Sequence, residues 1–169
     1  MEGTMSTIDY QIRRQEPADG AALHEVYSQP NVIRGTLQLP FPSLHAWNTR
    51  GAEEPRGMTR LVAVADKTVV GNIALIQSAS PRRRHVGEIA MAVHDAWQGK
   101  GCGSKLLTAA LDLAENWLSL NRIELDVFTD NEAGMQLYAR CGFQIEGTHK
   151  GYAFREGKYV DVHSMARVC

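Results

Sequence analysis

The chain has 169 residues, enough for one domain that buries a core without disulfides or a structural metal. Its 18 Lys and Arg against 19 Asp and Glu leave a formal charge of −1, which argues against nucleic acid or an anionic membrane as partner. Three irregularly spaced cysteines suit the reduced thiols of a cytoplasmic protein, and the six His show no metal-ligand spacing, so no metal is expected.

Residues 1–7 are small and polar, without the basic start and apolar run of a signal peptide. They read as an N-terminal tail on a single domain spanning 8–169, with Met5 as a possible natural start. No later segment is long and apolar enough to span a bilayer. Ile8 to Arg14 alternates as a first strand, and Pro17-Ala18-Asp19 opens a helix running to about Gln29, which Pro30 stops. Asn31 to Pro42 reads as a loop, Leu44 to Thr49 as a short helix, and Gly51 to Gly57 as an exposed polar loop. Thr59–Ala65 and Val69–Gln77 form two strands of hairpin spacing.

Pro81 to Arg84 reads as a turn leading to a strand that ends at Val93. Next come the glycine-rich run Gln98-Gly99-Lys100-Gly101-Cys102-Gly103 and an amphipathic helix from Ser104 to Leu120. Leu106, Leu107, Ala110, Leu111, Ala114, Trp117 and Leu118 recur on it at helical spacing. Arg122–Phe128 alternates as a strand, Asn131–Cys141 fits a helix stopped by Gly142, and Phe143–Phe154 with Lys158–Val168 forms a terminal hairpin. Antiparallel hairpins around one strand–helix–strand unit predict an α/β (α+β) fold, with a mixed, mostly antiparallel sheet of seven strands and helices on both faces.

The glycine run carries the chemistry. Glycines between a strand and a helix let the backbone approach a ligand closely, and free N–H groups at the helix start favour a phosphate-like anion. Neither common nucleotide pattern fits. A Walker turn needs Lys and then Ser or Thr after its last Gly, where this chain has Ser104-Lys105; a dinucleotide turn begun at Gly99 needs Gly at 104. The alternative is a plain strand-to-helix turn.

A second segment, Asn131 to Phe143, decides between these. Gln98, Gly101 and Gly103, followed in order by Asn131, Tyr138, Gly142 and Phe143, resemble the GNAT superfamily of N-acetyltransferases over essentially the whole chain. The stretches Thr36–Pro40, Arg122–Leu125, Phe143–Thr148, Tyr159–Asp161 and Met165–Arg167 are similar to the bacterial L-amino-acid N-acetyltransferases of that superfamily, without fixing the substrate.

The resemblance implies direct transfer of acetyl from acetyl-CoA to an amine, a V-shaped splay between the fourth and fifth strands, and a homodimer. It assigns the diphosphate to Gln98, Gly99, Lys100, Gly101, Cys102, Gly103 and Ser104. Pantetheine falls to the backbone of Met91 and Val93 and to the side chain of Asn131, which is otherwise an N-cap for its own helix. Tyr138 is the candidate general acid, or else a packed core tyrosine; a phenol of pKa about 10 gives its proton to a thiolate somewhat uphill.

Glu88, the one carboxylate on its strand, is the candidate base, directly or through water; the alternatives are an exposed partner for Arg82–Arg84 and solvent as base. Arg82–Arg84 is either a solvated turn or an attractor for the CoA 3′-phosphate or a substrate carboxylate. Arg34 and Tyr152 are the candidate acceptor contacts, and a nucleophilic Cys102 is disfavoured. Open alternatives are acceptors such as protein amino termini, polyamines or antibiotics, a non-catalytic acyl-CoA sensor, and a plain nucleotide-binding protein.

Overall fold

The computed structural model describes residues 8–51 and 53–169; the expected tail, 1–7, lies outside the described residues. Seven strands form one sheet: β1 (Gln11–Arg14), β2 (Met58–Ala65), β3 (Thr68–Gln77), β4 (Val86–Val93), β5 (Arg122–Phe128), β6 (Gln144–Arg155) and β7 (Lys158–Val168). Their order is β1-β2-β3-β4-β5-β7-β6, antiparallel except for β4 and β5. Helices α1 (Gly20–Tyr27), α2 (Pro30–Gly35) and α3 (Leu44–Arg50) precede β2, while α4 (Cys102–Asp112) and α5 (Glu132–Arg140) flank β5 in the chain. Among the described residues, no helix is long and apolar enough to cross a membrane.

The expected mixed sheet is therefore present, and its one parallel pair positions the site. β4 and β5 pair only at Val86–Arg122, Gly87–Ile123 and Glu88–Glu124. Beyond Glu88 the strands part, although β4 stays paired to β3 through Val93 and β5 to β7 through Phe128. The splay leaves two inner edges without a strand partner. Ile89, Met91 and Val93 pack with the α4 side of the sheet, where Leu106, Leu107, Ala110 and Ala114 are fully or nearly fully buried. Ala92 points to the opposite face, against Val26, Tyr27 and Val32.

Three expectations change. The segment after Pro30 is helical through Gly35 before the loop begins, because Pro occupies the first helical position, where its missing N–H costs nothing. The helix from Pro17 is split: a 3₁₀ turn, Pro17–Asp19, precedes α1, and buried Asp19 receives both Nη atoms of Arg13 at 2.8 Å and the Glu16 N–H at 2.7 Å. The long helix closes earlier than expected. After Asp112 it widens into a π turn, Leu113–Trp117, in which the Leu118 N–H reaches Leu113 O at 3.0 Å. The extra residue shifts the helical phase at the end of the segment, so Trp117 is 77% exposed instead of facing inward, and Leu120 takes the core position.

Candidate active site

A cleft of ≈ 790 Å³ opens in the splay. One wall is the glycine turn, where Gly99 (φ +69°) and Gly101 (φ +85°) adopt left-handed conformations, with Gly101 as N-cap of α4. At neither position would a Cβ meet another atom within 4 Å, so backbone conformation, not crowding, selects glycine there. Gly101, Gly103 and Ser104 line the cleft at the start of α4, an arrangement that offers N–H groups and the positive end of the helix dipole to an anion.

Backbone direction selects which groups of β4 face the gap. Val86 O accepts from Ser78 N–H and the His94 N–H donates to Val70 O, so even-numbered positions address β3. Alternate residues of a strand point their N–H and C=O to opposite edges. Met91 and Val93 therefore turn theirs toward the gap, as His85 does in accepting from Asn121 and Arg122 N–H. The Val93 carbonyl is occupied, because Gln98 Nε2 donates to it at 3.0 Å and to Asp95 Oδ1 at 3.3 Å. Gln98 thus shapes the turn as well as lining it.

The opposite wall is α5. Asn131 is its N-cap: Oδ1 accepts from the Gly134 N–H at 2.9 Å, which leaves the Nδ2 donor for another partner. A Cβ on Gly134 would lie 2.7 Å from Asn131 Nδ2, so glycine there makes room for the capping side chain. Sequence patterns did not single out Gly134; a glycine inside a helix, three residues after an Asn, is the signal that could have. One turn on, Tyr138 lines the same cleft, and its ring meets Phe143 edge-on at 5.8 Å. Burial pushes the Tyr138 phenol up to about 12, and its hydroxyl has no hydrogen-bond partner among the described residues.

The other end of the cleft is charged. Arg34 of α2 pairs with Glu156 and, at 3.3 Å, with Asp130. Arg155 reaches Arg34 O at 2.9 Å, pairs with Asp130, and stacks over Phe128 at 4.9 Å. The hydrogen bond from Arg155 holds the Asp130 carboxyl below the usual range. Asp130 and Arg155 are site components that sequence patterns did not mark, because they meet only through the fold.

Of the residues singled out beforehand, Met91, Val93, Gln98, Gly99, Gly101, Gly103, Ser104, Asn131, Tyr138 and Arg34 line this one cleft. Lys100 and Cys102 belong to the turn but not to its lining, and the Cys102 thiol is buried and pushed up to about 11 by desolvation, unsuited to a nucleophile. Glu88 and Tyr152 are not in the lining either. Glu88 sits exposed at the closed end of the splay, at the last β4–β5 pair, with no ion pair among the described residues. Nearby, the Tyr152 hydroxyl donates to Asp126 at 3.4 Å; partial burial, and then the charges of Asp126 and Glu88, raise its phenol. Arg82–Arg84 lie at the far end of β4, roughly 25 Å from the turn at strand rise, where Arg83 pairs with Glu124 at 2.7 Å.

The glycine turn and the segment from Asn131 to Phe143 both fall within the stretch of chain that matches a known family. The Acetyltransferase (GNAT) family pattern covers residues 21–143. The chain is 43% identical to the L-amino acid N-acetyltransferase AaaT of Escherichia coli K12, over 93% of this chain and 96% of that one. It is 27% identical to a spermidine N(1)-acetyltransferase of Vibrio cholerae, over 91% and 90%. The GNAT-family acetyltransferase structure from Streptococcus pneumoniae superposes with a TM-score of 0.81 at 26% identity, covering 95% and 99% of the two chains. The chain belongs to the GNAT acetyltransferase family and is an N-acetyltransferase of that class.

Proposed function

We propose that the protein transfers acetyl from acetyl-CoA directly to the α-amine of free L-amino acids. One observation carries this reading: a single cleft joins the glycine turn, the unpaired edge of β4, Asn131 and a protonated Tyr138, and ends at the Arg34 cluster. The 43% identity to an L-amino acid N-acetyltransferase over nearly the whole chain supports the acceptor class.

The backbone N–H groups of Gly99 to Ser104 hold the diphosphate, with Gln98 and Lys100 setting the turn's shape. Pantetheine lies along β4, paired with Met91 and the Val93 N–H, and accepts from Asn131 Nδ2. A free N–H on this edge polarises the thioester carbonyl as negative charge develops on its oxygen. The acceptor amine attacks the carbonyl carbon, the C–S bond breaks, and Tyr138 gives its proton to the departing thiolate.

At a pKa of about 12 that transfer is uphill by about 3.5 units against a thiol of about 8.5. The cost is met only if the developing thiolate hydrogen-bonds to the phenol as the C–S bond breaks. Glu88 takes the amine proton through water, since it lies at the apex of the splay and outside the cleft lining. Arg34 anchors the α-carboxylate, exchanging its contact with Asp130 or Glu156 for the substrate, and Tyr152 borders the acceptor's approach.

The enzyme acts in the cytoplasm as a homodimer, a reading supported by free cysteines and by exposed Ile145, Phe154 and Tyr159 on the β6–β7 hairpin. A polyamine acceptor is the second reading, favoured by the neighbouring carboxylates Glu88 and Asp126 and by the spermidine-acetylating relative. Incubation with acetyl-CoA and an equimolar mixture of L-amino acids and spermidine, read by mass spectrometry, separates the two. N-acetylated amino acids support the first reading, and N-acetylspermidine alone replaces it with the second.

A further inference from the structure

A turn that aims N–H groups at a diphosphate must point its carbonyls elsewhere. A carbonyl oxygen carries partial negative charge, so one left facing the anion opposes binding, and one turned inward needs a donor. The turn between Trp97 and Cys102 has few tethers on its outer side, where Gly99 and Gly101 have open space. Gln98 fixes the incoming end through Val93 O, and the Gly101 carbonyl accepts from the Lys105 N–H at 3.1 Å at the outgoing end. The middle carbonyl, Lys100 O, accepts from one donor among the described residues: the Tyr10 hydroxyl, at 3.1 Å and 90 residues away in the chain.

Tyr10 is well placed to hold that carbonyl. It is 8% exposed, sits in the main core just before β1, and meets Trp97 edge-on at 6.2 Å, so its ring has little freedom. Desolvation raises its phenol above the usual value, so it stays protonated and remains a donor across the working pH range. The Lys100 ammonium lies 5.8 Å from the Trp97 ring centroid, which ties the side chain of the same residue to the same aromatic cluster.

We propose that Tyr10 is a positioning residue for the cofactor, its hydroxyl turning the Lys100 carbonyl inward so that the N–H groups of the glycine turn face the diphosphate. This rests on the reading that acetyl-CoA binds at the turn. Tyr10 touches neither the reacting atoms nor the acceptor, so its effect is confined to the nucleotide half of the cofactor.

The test compares wild type and Tyr10→Phe with two donors, acetyl-CoA and S-acetylpantetheine, which carries the thioester arm without a diphosphate. Loss of one hydrogen bond predicts a KM for acetyl-CoA raised about 3- to 10-fold. The KM for S-acetylpantetheine and the kcat at saturating acetyl-CoA remain those of wild type. A general loosening of the fold would raise both KM values together, and thermal melting of the variant checks that the core is kept. An unchanged KM for acetyl-CoA, or an equal rise for both donors, overturns the inference. A wild-type enzyme that shows no preference for acetyl-CoA over S-acetylpantetheine overturns the reading beneath it as well.

Discussion

Tyr138 and Phe143 are joined twice, by a backbone hydrogen bond from the Phe143 N–H to Tyr138 O at 3.0 Å and by an edge-on ring contact at 5.8 Å. Together with the Gly142 N–H bonding Ala139 O at 3.0 Å and Gly142 at φ +86°, this is a Schellman ending to α5 with its usual hydrophobic contact. The helix terminus therefore does two things at once. It closes the last turn of α5, and it wedges the Tyr138 ring between the buried Phe143 and the cleft.

If Tyr138 protonates the leaving thiolate, removing its hydroxyl removes the acid and leaves the packing. Tyr138→Phe lowers kcat by about 100-fold or more, with acetyl-CoA affinity kept. Steady-state kinetics together with direct titration of acetyl-CoA separates the two effects. Full turnover in the variant takes Tyr138 out of the mechanism.

The same phenol sets an alkaline limit on stability. Tyr138 and Tyr27 are both raised to about 12 by burial, whereas an unfolded chain ionises them near 10. Below pH 10 both states are protonated and these groups add no pH dependence. Above it the unfolded chain releases protons that the folded one keeps, so stability falls by about 1.4 kcal/mol per pH unit for each phenol until the folded value is reached. Chemical denaturation between pH 9 and 12 shows a steeper decline in wild type than in Tyr138→Phe. Parallel curves would mean that Tyr138 ionises as freely folded as unfolded.

Gly134 predicts an inverted substitution effect. Gly→Ala inside a helix ordinarily stabilises by up to about 1 kcal/mol. Here the added methyl strikes the Asn131 amide, at 2.7 Å from Nδ2, and pushes the N-cap from its place. Gly134→Ala lowers the melting temperature and raises the KM for acetyl-CoA, as Asn131→Ala does through loss of the same amide. A stabilised variant with unchanged KM would separate Asn131 from the cofactor.

Because Glu88 stands outside the cleft lining, the predicted cost of losing its carboxylate is modest. The α-ammonium of a free amino acid, beside its own carboxylate, holds its proton more tightly than a peptide amino terminus of pKa about 7.7–8.0, so a proton acceptor is needed, though water can relay the proton to it. Glu88→Gln shifts the acid limb of the pH profile of kcat/KM and costs less than the 100-fold typical of a directly placed base. An identical profile in the variant assigns the proton to solvent.

Much of the fold and the cleft was legible in the sequence because the motifs are local. The turn from Gln98 to Gly103 and the segment from Asn131 to Phe143 each carry their structural reason in consecutive residues: left-handed glycines, an N-cap, a C-terminal Gly-Phe. The strands were legible too, since alternation matches a pleated, half-buried sheet. The π turn at Leu113–Trp117 was hidden, because residues at 3.6-residue spacing look alike whether or not one extra residue interrupts the ladder. Contacts between distant segments were hidden in the same way. Nothing near Tyr10 announces Lys100, and Arg34, Asp130 and Arg155 converge only once α2, the end of β5 and the β6–β7 turn are folded together. Glu88 is a strand carboxylate, as its alternating neighbours suggest, but that β4 and β5 part just beyond it became visible only with their register.

The most direct test is thiol release from acetyl-CoA by the purified protein, measured over a panel of free L-amino acids, their carboxamides, spermidine and short peptides. Turnover is predicted with free amino acids, weaker turnover with the carboxamides that lack the charge Arg34 would bind, and little with spermidine or peptides. Turnover confined to peptides or spermidine, or none with any amine despite acetyl-CoA binding, would contradict the assignment.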